Sequence, residues 1–464
     1  MSFARFRERF VGTATPRALG ATRIVICAVL LVSALWEDPA SSAIIPQQLR
    51  KKMGLLEVLY QLPIGFSEFV SSSTALTLFK WLTVLLLALA AAGVFTRVSI
   101  VLSALAYIVL GGLMRQYAWF YHTGLIPLYM LIGLAFTRSG DALSFDAWRR
   151  KQRGDPTLPP EDVPAAHYAW ARFQCWMLIA IPYLLAGLSK LRDGWPPWWT
   201  ALNFKRILLG TNVRPMQFDF DGALHIIHAP NWVFSTLGFC AVVSEILYVS
   251  VLFSRHARLV FPPTMVFMHI GILVLQNILF FDLILLQLIF VDWDWVFSRF
   301  GKQQAAAGAE AGAARTDLRY GVVLSLLASL LLLWWVTDEE YYPFTSMQMF
   351  TGSVMTSGRL SYPLIWAHTD SGKVESARIE HYVPAFRDTR YRHIIAMGQG
   401  GAKKQKQVRL FLEAVGAEWN RQAEPGERVV EFEIQQRDWD FVRKPDDPER
   451  GVVSRSYRFP ISAR

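Results

Sequence analysis

Three ionisable side chains stand inside or at the ends of strongly apolar runs. Lys190 closes the run Ile179-Ala-Ile-Pro-Tyr-Leu-Leu-Ala-Gly-Leu-Ser-Lys190, His122 opens another, and His269 sits within Met265-Val-Phe-Met-His-Ile-Gly-Ile. In lipid such groups are expensive, about 2.5–3.5 kcal/mol for Lys or Arg at a helix centre, so their positions are informative. A lysine and two histidines brought together would suit proton-transfer chemistry. Imidazole titrates nearest neutrality, and an amine serves as a base near neutral pH only where desolvation disfavours its charged form. Each residue also has a plainer role open to it. A lysine at a helix end snorkels to the interface, and His122, in Trp119-Phe120-Tyr121-His122, fits an aromatic belt. His269 could be a hydrogen-bonded structural histidine.

Other polar groups interrupt the apolar runs: Arg172 and Gln174, Glu245, then Asp282 and Gln287. Buried charges normally need a partner, which makes an Arg172–Glu245 pair the expected structural fastening. Trp195, Trp198 and Trp199 beside Pro196-Pro197 would serve as interfacial anchors, or as a lid or stacking surface over a site near Lys190. His225-Ile-Ile-His228 has i,i+3 spacing, but no third ligand lies nearby and no metal site is assigned. Cys27, Cys175 and Cys240 are isolated in apolar runs, which gives neither a zinc motif nor a disulfide framework.

The elements that must position these residues are membrane spans. The 464 residues are 53% hydrophobic with 17 Trp and 31 Phe, and only 18% are charged. The apolar residues come in runs near the length that crosses a bilayer. About nine spans are expected, near residues 19–36, 76–95, 98–116, 123–136, 169–188, 232–253, 259–278, 279–297 and 320–336. The net charge of +10 falls mostly in short loops beside the runs, where it sets topology and argues for no nucleic acid partner. With the N-terminus in the cytoplasm, Arg97, the Arg149-Arg150-Lys151 cluster, Arg255/Arg258 and Arg299/Lys302 all lie inside. The C-terminus, residues 37–75 and residues 190–231 then lie outside, periplasmic or extracellular for a bacterial inner membrane. A cleaved leader ending near Ala40–Ala43 is the rival reading of the first span.

Residues 301–316 (GKQQAAAGAEAGAART) read as a linker. From 338 to 464 the composition is that of a small soluble α+β domain, against an all-α transmembrane domain over 1–337. Leu360–His368 and Val374–Val383 flank the turn residues Thr-Asp-Ser-Gly as a hairpin. Lys403–Arg421 carries a helical apolar stripe, and Val429–Ile434 and Gly451–Phe459 read as further strands.

At the chemistry-bearing residues the chain resembles the vitamin K-dependent gamma-carboxylase family and its bacterial relatives, the horizontally transferred transmembrane (HTTM) domain proteins. The resemblance rests on His122-Thr-Gly-Leu-Ile-Pro-Leu-Tyr with Ser139-Gly-Asp-Ala-Leu-Ser-Phe-Asp-Ala, on Tyr183-Leu-Leu-Ala-Gly-Leu-Ser-Lys-Leu with Asp193-Gly-Trp, and on Met268-His-Ile-Gly-Ile. Tyr342-Pro-Phe-Thr and Met347-Gln-Met-Phe add weaker support. It covers roughly residues 10–350.

The resemblance implies that Lys190 is the base that deprotonates vitamin K hydroquinone or menaquinol, assisted by His122 and His269. The implied reaction oxygenates the quinol with O2 to its epoxide, removes a γ-proton from a peptidyl Glu and adds CO2. Membrane lipids, a quinone and a protein or peptide substrate on the outer side would be the partners. The chain lacks the large lumenal region of the carboxylases and their bridging cysteines, and Phe281-Asp282 departs from the expected less polar pattern. The alternative class is a non-enzymatic membrane scaffold or lipid-binding protein with the same fold. A transporter fits less well, because no repeated halves are visible.

Overall fold

The computed structural model describes residues 2–117, 122–194, 197–214, 216–299, 313–346, 357–396 and 400–461. Trp195, the 119–121 part of the aromatic run, residues 301–312 of the linker and the 347–350 motif lie outside these residues.

Local signals in the sequence start and stop the helices. Helix α1 (Pro16–Trp36) begins with Pro at its first turn, and the Thr15 hydroxyl accepts from the Ala18 N–H, a side-chain cap on an otherwise orphaned donor. Ser72 caps α2 (Ser73–Ala92) in the same way, and Gly93 in the left-handed region ends it. Then follow α3 (Thr96–Arg115), α4 (Leu125–Leu134) and α5 (Ala166–Gly194). An extramembrane helix, α6 (Ala201–Asn212), precedes α7 (Asn231–Leu252) and α8 (Arg255–Gln276), then α9 (Phe281–Phe290) and α10 (Thr316–Thr337). Residues 313–316, expected in the linker, belong to the helix that continues as α10.

Seven helices, α1, α2, α3, α5, α7, α8 and α10, are long and apolar enough to cross a membrane. The expected fourth and eighth spans are instead the short apolar helices α4 and α9. Ten helical residues rise about 15 Å, half of a hydrocarbon core of about 30 Å. Both short helices nevertheless carry the chain back to the end where α1 and α5 begin. Past α4, the Ser139 carbonyl accepts from Arg23 on α1. Past α9, the Asp294 carboxylate accepts from Thr15 and Arg172.

Helix α5 is the axis of the bundle. In its most apolar window 83% of the residues are buried, against 22% for α2 and α8 and 17% for α10. A helix apolar on all sides belongs in a core, and the outer helices turn Leu, Val and Phe outward as a lipid-facing wall.

At the other end sits an antiparallel sheet of order β2-β1-β3-β4, with β1 Arg359–Thr369, β2 Val374–Ser376, β3 Val429–Asp440 and β4 Val452–Pro460. Helix α11 (Ala402–Gln422) packs on it through the apolar stripe Val408, Phe411, Leu412, Val415 and Trp419. The expected hairpin forms, but its second strand ends at Ser376, and Ile379–Tyr382 turns into a helix whose Ile379 joins the core.

The sheet domain shares its core with the bundle. Ile45, Leu49, Met114 and Tyr117 pack with Ile394, Phe411 and Trp419, and Trp198, Phe204 and Leu208 pack with Tyr362 and Trp439. Residues 37–75 and the α6 region therefore lie at the sheet end, as the loop pattern suggested. A buried bidentate ion pair fastens the join: Arg390 donates to both Glu37 oxygens at 2.7 and 3.0 Å, with the side chains 6% and 5% exposed.

Removing one partner of a buried pair costs about 3–5 kcal/mol. Arg390→Leu should therefore lower the thermal midpoint and expose the sheet domain to protease in limited digestion. A second prediction concerns His393. Burial, reinforced by Lys51, lowers its pKa to about 4, below the ordinary value near 6.5. The unfolded chain binds the proton first, so stability is full above about pH 6.5 and falls as pH drops towards about 4. The thermal midpoint should decline over that window, and His393→Gln should flatten the decline.

Candidate functional site

The last turns of α5 carry the chemistry. Lys190 is 2% exposed and does not reach towards solvent. Its ammonium donates to both carboxylate oxygens of Glu245 on α7, at 2.9 and 2.7 Å, and to the Ala186 carbonyl at 3.5 Å. Trp198 lies against it, with the ring centroid 5.4 Å from Nζ. The snorkelling role is thereby excluded, and so is the expected Arg172–Glu245 pair. Arg172 donates instead to Asp294 at 3.0 Å and lies over the Trp176 ring. The two cations stand 18 residues apart on α5, a rise of about 27 Å. A single carboxylate on α7 can meet only one of them.

Glycine brings the pair together. A Cβ on Gly187 would lie 2.7 Å from Ile246 Cγ1 and 3.2 Å from Glu245 Cβ, so α7 approaches α5 only because this position has no side chain. Ser189 next to the lysine accepts from Trp335 Nε1 of α10 at 2.7 Å, which fixes the far side of the same turn.

Two turns earlier on the same face, the Tyr183 hydroxyl meets His269 Nε2 on α8 at 2.7 Å. The His269 ring lies tilted against Phe280, and among the described residues its Nδ1 has no hydrogen-bond partner. Tyr183 packs against Tyr248, whose hydroxyl donates to Gln287 Oε1 at 2.5 Å. His269 lies within electrostatic range of Lys190, and Tyr183 within range of Asp282 and Glu245. Lys190 and His269 are both buried, and α5 links them: Lys190 and Tyr183, the partner of His269, stand two turns apart on that helix.

Asp282 explains the departure noted at Phe281-Asp282. It is 2% exposed, and its Oδ2 accepts from the Gly124 N–H at 2.8 Å, at the start of α4. A carboxylate there satisfies an orphan donor and complements the positive end of the helix. Among the described residues its Oδ1 has no hydrogen-bond partner. His122 stands two residues before Gly124, and its Nδ1 meets Thr345 Oγ1 at 3.3 Å. Thr345 and Ser346 both donate to Glu340 Oε1, and burial pushes the Glu340 carboxyl above the usual carboxylate range. His122 therefore belongs to a neighbouring polar group, with Asp282 between it and the Tyr183–His269 pair.

Trp199 packs edge-on against Phe239, so of the two described tryptophans only Trp198 faces the lysine. The pair His225 and His228 separates: His225 bonds the Asp221 carbonyl, and His228 bonds Asp446. Sequence reasoning missed Tyr183 and the assignment of Glu245 to Lys190. The available signals were Glu245 standing alone in an apolar run and the glycine three residues before the lysine.

The HTTM domain family matches residues 14–295. This chain belongs to the HTTM domain family. The match takes in every helix of the Lys190–His269 cluster, including the short helices α4 and α9. The helix α10 and the sheet domain lie beyond the matched HTTM region. No curated protein and no solved structure matches the chain.

Neutralising one partner of the Lys190–Glu245 pair strands a buried charge, so Lys190→Met should cost about 3–5 kcal/mol. The double variant Lys190→Met/Glu245→Leu should regain most of that loss. Thermal unfolding in mild detergent measures both, and a single variant as stable as the parent would contradict the buried geometry.

Proposed function

We propose that this multi-pass membrane protein is a carboxylase-like enzyme that acts on a lipid-soluble quinol at the Lys190–Glu245–His269 cluster. On this reading it sits in a bacterial inner membrane with the N-terminus cytoplasmic and the sheet domain outside. The observation that carries the proposal is a buried lysine held by a buried carboxylate, two turns along α5 from a tyrosine that meets a buried histidine.

The residues present fit a quinol. Its two hydroxyls need acceptors in apolar surroundings, and His269 Nδ1 and Asp282 Oδ1 are buried acceptors without partners among the described residues. A quinol such as reduced vitamin K or menaquinol would be oxidised by O2, and that oxygenation would generate the strong base that removes a proton from a Glu-containing or other substrate, to which CO2 then adds.

The chain's own part concerns one proton. As an ammonium, Lys190 has no lone pair and cannot act as a base. Moving one proton from Nζ to Glu245 leaves a neutral amine and a neutral carboxyl, and it removes two opposite charges from an apolar interior. The amine can then accept a proton from a donor beside it, while Glu245 holds the first one. Tyr183 orients His269 through its hydrogen bond to Nε2. Trp198 shields the amine from water at the sheet end.

The test supplies purified protein with reduced vitamin K or menaquinol and O2, and follows epoxide by chromatography. Epoxide formation is expected, with Lys190→Ala lowering the rate at least about 100-fold, the low end for general-base contributions. Epoxide formation unchanged in Lys190→Ala would overturn the assignment. So would its absence from folded parent protein across several quinols.

A further inference from the structure

A groove of about 450 Å³ lies at the end of the bundle opposite the sheet domain, between the α2–α3 turn and residues 134–153. Five arginines line it: Arg97, Arg138, Arg149, Arg150 and Arg153. Its two acids are already engaged. Asp146 accepts from the Phe95 and Thr96 N–H groups and from the Thr96 hydroxyl at 2.7–3.0 Å. Asp141 accepts from Tyr168 at 2.7 Å and pairs with Arg138 at 3.1 Å and Arg150 at 3.5 Å. Arg150 also holds Asp155 at 2.8 Å. Among the described residues, no ion pair engages Arg97, Arg149 or Arg153, so the groove carries excess positive charge.

Topology-setting charge needs no groove, and exposed aromatic rings stand in its lining and beside lining residues in sequence. Phe95 is 67% exposed, Phe136 81% and Trp148 56%. Phe95 is also held at φ 45°, in the left-handed region that non-glycine residues seldom enter. The two Asp146 hydrogen bonds impose that backbone, and its consequence is a phenyl ring turned outward at the groove mouth. Exposed rings beside arginines at a helix end suit the boundary between headgroups and acyl chains. Guanidinium forks match phosphate oxygens.

We infer that this groove binds the phosphate of an anionic glycerophospholipid, with Phe95, Phe136 and Trp148 lying along its acyl chains. The site is independent of the Lys190 cluster. A free phosphate would meet the same arginines but would gain nothing from the exposed rings.

The test uses the full chain in mild detergent, titrated with phosphatidylglycerol, phosphatidylcholine or inorganic phosphate. Bound lipid is counted by native mass spectrometry, and thermal stability is recorded in parallel. The parent should bind phosphatidylglycerol at least about tenfold more tightly than phosphatidylcholine, because basic residues gain from an anionic headgroup and not from a zwitterionic one. Inorganic phosphate should give no comparable stabilisation. The triple variant Arg97→Gln/Arg149→Gln/Arg153→Gln should lose the preference. The matching triple Arg→Lys variant keeps the charge that sets insertion but lacks the forks, so it should show a reduced preference. Equal affinity for the two lipids, or phosphate acting as well as phosphatidylglycerol, would overturn the inference. If the glutamine variant fails to insert, the lysine variant decides: a preference equal to the parent's refutes a built site.

Discussion

The Lys190–Glu245 ion pair is the constraint around which the bundle is arranged. Two charges in an apolar interior persist only with close geometry and further hydrogen bonds, and each structural feature nearby supplies one of these. Gly187 lets α7 come close enough for the carboxylate to reach the amine. Ala186 takes the remaining contact from Nζ, Trp198 covers the ammonium, and Ser189 ties the turn to α10. A pair built only for stability is a poor investment, since apolar side chains of similar size often serve as well. Its retention inside the most buried helix is what directs attention to proton chemistry.

The two short helices belong to the same design. Helices α4 and α9 leave polar backbone inside the bundle, where lipid offers no hydrogen bonds. Asp282 resolves part of that problem by accepting from the Gly124 N–H. Broken helices thus bring ionisable groups to the interior at positions that full-length spans would not reach. The sheet domain closes one end of this interior through a shared core and the Glu37–Arg390 pair.

Much of the architecture was legible because its cause is local. Apolar runs, Thr15-Pro16, Ser72 and the stripe from Val408 to Trp419 each report on their own segment. The shortness of α4 was already visible in the 14 residues of Thr123–Phe136, too few to span, whereas that of α9 was not, because Leu279–Phe297 has the length of a span. The same limit governs the site. Lys190 and His269 stood out as costly residues in apolar runs, whereas the partner of each charge depends on helix register. Arg172 lies close to Asp294 in space but 122 residues away in sequence, so the choice of Glu245 for Lys190 could not be read from spacing. His122 was expected at the lysine and instead meets Thr345, in a segment that follows the last span.

The central claim is that the buried pair serves chemistry and not merely the fold. The most direct measurement is quinol-dependent O2 uptake by the double variant Lys190→Met/Glu245→Leu, compared with the parent under conditions where both are folded. The account predicts uptake by the parent and loss of at least about 100-fold in the variant. A folded variant that consumes O2 as the parent does, or a parent that consumes none with any quinol, would contradict it.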